Sequence, residues 1–163
     1  MQIYMLRHGI AEDARPGTSD RDRALTKEGV EKLRKVLAVA RQAGVSPGLI
    51  LTSPLRRAVE TAQIAAEALD YKQPILHTDA LTPSSSPEAV WAEIRAHRSE
   101  AAILLAGHEP LIGETVSYLL GSSRVLVEMK KGALVRIDVG EFGAAPRGSL
   151  QWLLTPKLAT GRP

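Results

Sequence analysis

The sequence predicts an α/β protein, a three-layer sandwich around a mainly parallel central sheet of about six strands. Short apolar runs of strand length alternate with segments whose apolar residues recur at helical spacing, which is typical of βαβ units. The chain has 163 residues, 44% of them hydrophobic and 24% charged, which suits one core of ordinary size. Repeats, low-complexity tracts and interdomain linkers are not evident. We therefore expect one domain over residues 1–163.

The strands are predicted where short apolar runs are bounded by turn residues. The last two flank residues 140–148, whose three glycines and one proline predict the loop of a terminal hairpin. In chain order, the predicted strands are Gln2–Leu6, Leu49–Thr52, Pro74–His77, Ala102–Ala106, Ala133–Asp138 and Leu150–Leu154.

Four helices are predicted from apolar periodicity and end signals. The first has Thr26 as its N-cap and Gly44 as its stop. The second begins at Ser53-Pro54, with serine as cap and proline in the first turn, and presents one apolar face as far as Leu69. The third begins at Ser86-Pro87-Glu88 and runs to about Ala96, and the fourth runs from Ile112 to Leu120 and stops at Gly121.

Composition excludes several classes of function. The chain has no cysteine, which removes disulfides, thiolate nucleophiles and cysteine-based metal sites and is compatible with a reducing cytosol. No signal peptide or membrane span is visible, so a cytoplasmic protein without membrane contact is expected. The net charge is +3, but the basic residues are scattered and aromatic residues make up only 4%. That pattern favours solvated helix faces and a local anion site over nucleic-acid binding.

Polar residues follow three of the predicted strands. Arg7-His8-Gly9 follows the first strand, Arg57 opens the helix after the second, and Gly107-His108-Glu109 follows the fourth. If these strands are parallel, all three groups lie at one edge of the sheet, where α/β proteins bind ligands. Gly9 would let the backbone approach a ligand closely.

Two histidines and two arginines around one crevice suit a phosphoryl group. A neutral imidazole can attack phosphorus, while guanidinium forks and a second, protonated imidazole neutralise the equatorial oxygens. Arg57 also lies in a first helical turn, where the helix dipole favours an anion. We expect phosphate or sulfate to bind here, and this set of side chains requires no metal and no cofactor.

Four ordered motifs resemble the histidine phosphatase superfamily, whose fold is that of the phosphoglycerate mutases. They are Leu6-Arg7-His8-Gly9, Leu25-Thr26-x-x-Gly29, Ser53-Pro54-Leu55-Arg56-Arg57-Ala58-x-x-Thr61-Ala62 and Gly107-His108-Glu109-Pro110. The chain is similar to the short SixA-type phosphohistidine phosphatases in further segments: Leu81-Thr82-Pro83, His108-x-Pro110-Leu111-Ile112-Gly113, Gln151-Trp152 and Thr155-Pro156.

The resemblance implies a metal-independent phosphatase in which His8 is transiently phosphorylated and water then releases phosphate. It implies a phosphate pocket of Arg7, Arg57 and His108, since the family's second pocket arginine directly precedes alanine. The expected substrate is phosphohistidine in proteins of histidine-kinase phosphorelays, such as a histidine-containing phosphotransfer domain, and a monomer is expected. A general small-molecule phosphomonoesterase and a non-catalytic phosphate-binding module are the alternatives.

The proton donor for the leaving group is less well defined. Mutases and small-molecule phosphatases of the superfamily use a carboxylate, and Glu109, directly after the second histidine, is our first candidate. The alternative is a surface carboxylate that pairs with a nearby arginine. A phosphohistidine substrate would relax the need for an acid, because a protonated imidazole departs more readily than an alkoxide.

Loop lengths bear on access to the site. The segments Ala80–Ser86 and Ser122–Lys131 are short, so little chain is available for a lid, and an open site can admit a phosphorylated protein side chain. The polar segment that holds Arg15, Arg21 and Arg23 is expected either to fold over the site as a positively charged rim or to be mobile.

Overall fold

The computed structural model, which describes residues 1–161, contains a six-stranded sheet that is sandwiched between helices and has the order β3-β2-β4-β1-β5-β6. Strands β1 to β4 run parallel, and β5 and β6 continue the sheet as an antiparallel hairpin. This confirms the predicted fold class. The strands are β1 Gln2–Arg7, β2 Leu49–Thr52, β3 Leu76–His77, β4 Ala102–Gly107, β5 Leu134–Val139 and β6 Gly148–Leu154.

Helices cover both faces of the sheet. Because β1 and β4 are buried on both faces, successive residues serve two cores: Ile3 and Met5 pack with α3 and α4, whereas Tyr4 and Leu6 pack with α1 and α2. The helices are α1 Lys27–Gln42, α2 Arg56–Ala68, α3 Pro87–Ala96, α4 Leu111–Leu119 and α5 Pro156–Thr160.

The predicted start of α1 is confirmed, since the Thr26 side chain accepts a hydrogen bond from the Gly29 N–H at 3.0 Å. The predicted start of α2 at Ser53-Pro54 is wrong. The helix begins at Arg56, and its N-cap Leu55 provides no side-chain bond. Ser53 is fully buried, and its hydroxyl contacts a histidine instead.

Two other elements differ from the prediction. Strand β3 comprises only two of the four predicted residues, both exposed, and it pairs with β2 alone, so little burial holds it. Helix α5 was not predicted, although Thr155-Pro156 carries the same start signal as Ser86-Pro87. Thr155 accepts a hydrogen bond from the Leu158 N–H at 3.3 Å.

Within residues 1–161, none of the helices combines the length and the apolar character needed to cross a membrane.

Candidate active site

The parallel order of β1, β2 and β4 brings the predicted site residues to one edge of the sheet. In the register of the sheet, Arg7 lies opposite Gly107 and Thr52 lies opposite Ala106. The residues that come next in the chain, His8, Ser53 and His108, therefore leave the sheet side by side. The His8 and His108 rings lie 5.1 Å apart between centroids.

His8 is held as a neutral imidazole in one tautomer. Its Nδ1 lies 2.7 Å from the carbonyl oxygen of Gly9, and because a carbonyl only accepts, Nδ1 carries the proton. The lone pair is then on Nε2. Burial, with smaller contributions from the charges of Arg57 and Arg7, lowers the pKa of His8 to about 4. At pH 7 the ring is therefore neutral, the state that a nucleophilic role would require.

His108 is also neutral among its present neighbours. Its Nε2 lies 2.8 Å from the Ser53 hydroxyl, and burial, then His8 and Arg57, lower its pKa to about 3. The protonated imidazole that we expect beside a phosphoryl group stays a prediction. The two arginines and the neighbouring ring disfavour a further positive charge. The negative charge of a phosphoryl group would raise the pKa of His108 again.

The two predicted pocket arginines are anchored through their terminal nitrogens. Arg7 Nη1 donates to the carbonyl oxygen of Met129 at 2.6 Å. Arg57 Nη1 donates to the carbonyl oxygen of Asp20 at 2.8 Å, and its Nη2 donates to Asp20 Oδ2 at 3.1 Å. The Arg57 side chain is only 5% exposed. Both guanidinium groups are thus fixed by the protein at one end.

Three buried nitrogens of this cluster have no hydrogen-bond partner within residues 1–161: Arg7 Nε, Arg57 Nε and His108 Nδ1. If the Ser53 hydroxyl donates to His108 Nε2, Nδ1 carries a proton, and all three nitrogens are donors without an acceptor. A buried unsatisfied donor costs about 1–3 kcal/mol. An oxyanion that reached these nitrogens would relieve that cost, so the arrangement favours an anionic ligand.

Gly9 contributes differently from the expectation. Its N–H donates to Thr61 Oγ1 at 3.2 Å, and an added Cβ would lie 2.6 Å from Leu33 Cδ1. Its small size is therefore needed for packing on α1, and its N–H is engaged within the protein. These contacts do not support a direct bond from Gly9 to phosphate. Thr61, which also donates to the Arg57 carbonyl at 2.7 Å, ties the His8 loop to α2.

Glu109 follows His108 in the chain and bonds to Met129, the residue that anchors Arg7. Its Oε1 accepts a hydrogen bond from the Met129 N–H at 3.2 Å, and burial raises the pKa of its carboxyl group. Arg7 is close enough to act on this carboxylate by its charge, but the two do not form a direct ion pair. The raised pKa is in the direction that suits an acid, and that role stays a prediction.

A groove of about 730 Å³ lies between α4 and residues 125–128, and Glu109, the residue after His108, is part of its lining. Its lining is mostly apolar, and Leu126 at its rim is 96% exposed. The acidic residues of its lining are Glu88, Glu109, Glu114 and Glu128, and among the described residues the lining contains no lysine, arginine or histidine. Glu109 joins the groove to the histidine cluster.

Sequence reasoning missed two residues of the site, Ser53 and Asp20. Ser53 has a signal in the Ser-Pro pair, but that pair was interpreted as a helix start. Asp20 lies in a polar loop whose local sequence contains no pointer to Arg57, 37 residues away. The segment that was expected to supply a positively charged rim therefore supplies a carboxylate to the site, that of Asp20.

Comparison with known proteins identifies the family of the chain. Residues 3–82 match the histidine phosphatase superfamily (branch 1). An uncharacterized protein of Picosynechococcus is 34% identical over 143 residues, which are 86% of each chain. The solved structure of the protein histidine phosphatase SixA complexed with tungstate superimposes with a TM-score of 0.86 at 27% identity, covering 96% of this chain and 97% of SixA. A SixA structure from Agrobacterium tumefaciens gives a TM-score of 0.83 at 26% identity, covering 95% and 97%.

The fold, the site and the relatives together define a phosphatase whose candidate active site lies at one edge of the sheet of an α/β fold. The chain belongs to the histidine phosphatase superfamily, and within it to the SixA type.

Proposed function

We propose that this phosphatase removes phosphate from phosphohistidine in proteins of histidine-kinase phosphorelays and forms a phosphorylated His8 on the way. One observation carries the proposal: a neutral imidazole with its Nε2 lone pair free lies beside a second imidazole and two anchored arginines. We expect it to act as a monomer in the cytoplasm, without nucleic acid, and on a histidine-containing phosphotransfer domain.

In the first step, Nε2 of His8 attacks phosphorus, a P–N bond to His8 forms, and the P–N bond of the substrate breaks. The electron pair of that bond goes to the leaving imidazole, which departs neutral if it was protonated on its other nitrogen. Phosphorylation leaves His8 with a proton on Nδ1 and a positive ring. The Gly9 carbonyl at 2.7 Å stabilises that charge.

In the second step, water attacks phosphorus, the bond to Nε2 breaks, and its electron pair returns to His8. The two protons of the water leave on the released phosphate, and His8 is again neutral with its proton on Nδ1. Arg7, Arg57 and His108 would bind the equatorial oxygens in both steps, because their donors lie around His8. The expected binding of phosphate or sulfate follows from the same donors. These residues perform the reaction without a metal, so a chelator should leave turnover unchanged.

A protein substrate is supported by the likeness to SixA structures and by the short loops around the sheet edge. The Glu109 carboxyl favours a second candidate, a general phosphomonoesterase. Its raised pKa would let it protonate an alkoxide, which leaves poorly without a proton.

A substrate panel tests the proposal. Wild type should turn over a phosphohistidine protein much faster than sugar or aryl phosphates, and His8→Ala should abolish turnover without changing the fold. His77→Ala is the matched control, since this histidine is exposed at the end of β3. Wild type quenched in mid-reaction should carry an acid-labile, alkali-stable phosphate on His8.

Turnover that survives in His8→Ala would overturn the mechanism. Robust turnover of small esters without turnover of the phosphoprotein would favour the phosphomonoesterase, and phosphate binding without turnover of any substrate would favour a non-catalytic module. Glu109→Gln separates the enzymes further, because only the esterase needs this acid.

A further inference from the structure

The segment between β1 and α1 is fastened at its base and reaches the active site at its far end. At the base, Ala11 and Leu25 form an isolated antiparallel bridge, and the Glu12 N–H donates to the Ala24 carbonyl at 2.8 Å. The far end is a 3₁₀ turn at Asp20–Asp22. The segment therefore forms a strap across the edge of the sheet. Its base contacts α2 through the Leu25 N–H, which donates to Glu60 at 2.7 Å, and its far end contacts α2 through the turn.

Asp20 is the residue of this strap that holds Arg57. Its carbonyl oxygen and its Oδ2 accept hydrogen bonds from the two terminal nitrogens of Arg57, at 2.8 and 3.1 Å. The two side chains differ in environment, because Arg57 is 5% exposed and Asp20 is 61% exposed. An ion pair with such an exposed carboxylate stabilises a fold little. Its effect is on where the buried guanidinium points.

Arg23 fixes the carboxylate from the other side. Arg23 Nε and Nη2 each lie 2.8 Å from Asp20 Oδ1, and its Nη1 donates to the Glu12 carbonyl at 2.9 Å. Each carboxylate oxygen of Asp20 thus bonds to a different arginine. A series of hydrogen bonds from Glu12 through Arg23 and Asp20 to Arg57 links the base of the strap to the site.

The other pocket arginine is anchored in a comparable way, by the Met129 carbonyl on Nη1. In both arginines, Nε is the buried nitrogen that lacks a partner in the described part of the chain. For Arg7 the anchor is backbone. For Arg57 half of the anchor is a side chain, and a substitution can remove it.

We propose that Asp20, itself fixed by Arg23, is a positioning residue that orients the guanidinium of Arg57 toward the phosphoryl group. This rests on the proposed function of the site. Partial burial alone would raise the pKa of Asp20, but hydrogen bonds and charges from Arg23 and Arg57 lower it overall, so at pH 7 the carboxylate has no proton to give. Asp20 therefore acts through Arg57 and is not the missing acid.

The test compares Asp20→Ala and Asp20→Asn with Asp22→Ala as the matched control. Asp22 belongs to the same 3₁₀ turn and is exposed, with no side-chain bond among the described residues. Asp20→Ala should lower kcat on the phosphohistidine protein by about tenfold or more and weaken orthovanadate binding similarly, because a misdirected guanidinium stabilises the transition state poorly. KM should change little.

Asp20→Asn keeps an amide oxygen that can accept from Nη2, so its kcat should stay within about threefold of wild type. Arg23→Gln should reproduce part of the loss, and Arg23→Gln combined with Asp20→Ala should be no worse than Asp20→Ala alone, since both act on one contact. Asp22→Ala should behave as wild type.

Equal losses in Asp20→Asn and Asp20→Ala would overturn the proposal, because they would assign the effect to charge or proton transfer. Unchanged kcat in Asp20→Ala, with or without a lower Tm, would also overturn it, as would an equal loss in Asp22→Ala. Orthovanadate binding tests the role of Asp20 independently of the proposed function, because it requires no turnover of phosphohistidine. If wild type proved inactive on phosphohistidine, anion affinity across the same variants would still decide whether Asp20 positions Arg57.

Discussion

Arg56 and Arg57 are adjacent in the chain and have opposite environments. The Arg56 side chain is 56% exposed and pairs with Glu60 one turn along α2, whereas the Arg57 side chain is 5% exposed and its charge lowers the pKa of both histidines. An exposed pair of this kind contributes little to stability. Substitutions at the two neighbouring arginines therefore compare a solvent-exposed arginine with an arginine of the candidate site.

Arg57→Lys should lower kcat/KM by about a hundredfold, the effect expected when one donor to a transition-state oxyanion is lost. An ammonium group keeps the charge, but it cannot bond the two Asp20 oxygens and still present a planar fork to phosphate. Arg56→Lys is the matched control and should stay within about twofold of wild type. Steady-state kinetics on one phosphohistidine protein measures both. Near-normal kinetics in Arg57→Lys would remove this arginine from the pocket.

At the scale of elements, the start of α1 is packed onto the loop that carries His8. Gly29 lies in the first turn of α1, and an added Cβ there would lie 2.3 Å from the Ile10 carbonyl oxygen and 2.8 Å from the Ile10 nitrogen. Both contacts are with backbone, which cannot rotate away as a side chain can. The position of the loop that carries His8 therefore depends on the absence of a Cβ at Gly29 in α1.

Gly29→Ala should destabilise the protein by about 1–3 kcal/mol, as overpacking does. In an unobstructed helix the same change would stabilise by up to about 1 kcal/mol, so the sign of the effect shows that the clash dominates. Turnover should fall as well, because the loop that holds Gly9 and His8 must move. Gly140→Ala is the control, since an added Cβ there has no neighbour within 4 Å. Urea unfolding of both variants measures the difference, and a stabilised Gly29→Ala would contradict the packing.

At the scale of the whole molecule, the features that the sequence predicts are those that depend on local sequence patterns. Alternation of buried runs and helical faces predicts the parallel sheet, and the parallel sheet brings His8 and His108 together. Contacts between distant segments carry no such pattern. The Asp20–Arg57 pair and the Ser53–His108 bond join residues 37 and 55 positions apart. The charge state of His108 depends on the summed field of the assembled site, so it too could not be predicted from local sequence.

That field has a consequence for the stability of the whole fold. The native pKa values of His8 and His108, about 4 and about 3, lie below the ordinary histidine value of 6.5. Between pH 6.5 and about 4 the unfolded chain therefore binds protons at both positions that the native state does not bind. The free energy of unfolding should fall on acidification in this range, by up to about 1.4 kcal/mol per pH unit for each histidine.

Urea unfolding at pH 7, 6 and 5 measures this dependence in wild type and in His8→Gln combined with His108→Gln. The double variant has no buried imidazole to protonate at these positions, so its stability should vary less with pH over this range. His77→Gln, at the exposed end of β3, should keep the pH dependence of wild type. Equal pH dependence in wild type and the double variant would contradict the neutral state of the pair. Phosphate added at pH 5 should recover part of the lost stability. An anion bound to the native state favours folding by mass action, and its negative charge raises the native pKa values of the two histidines.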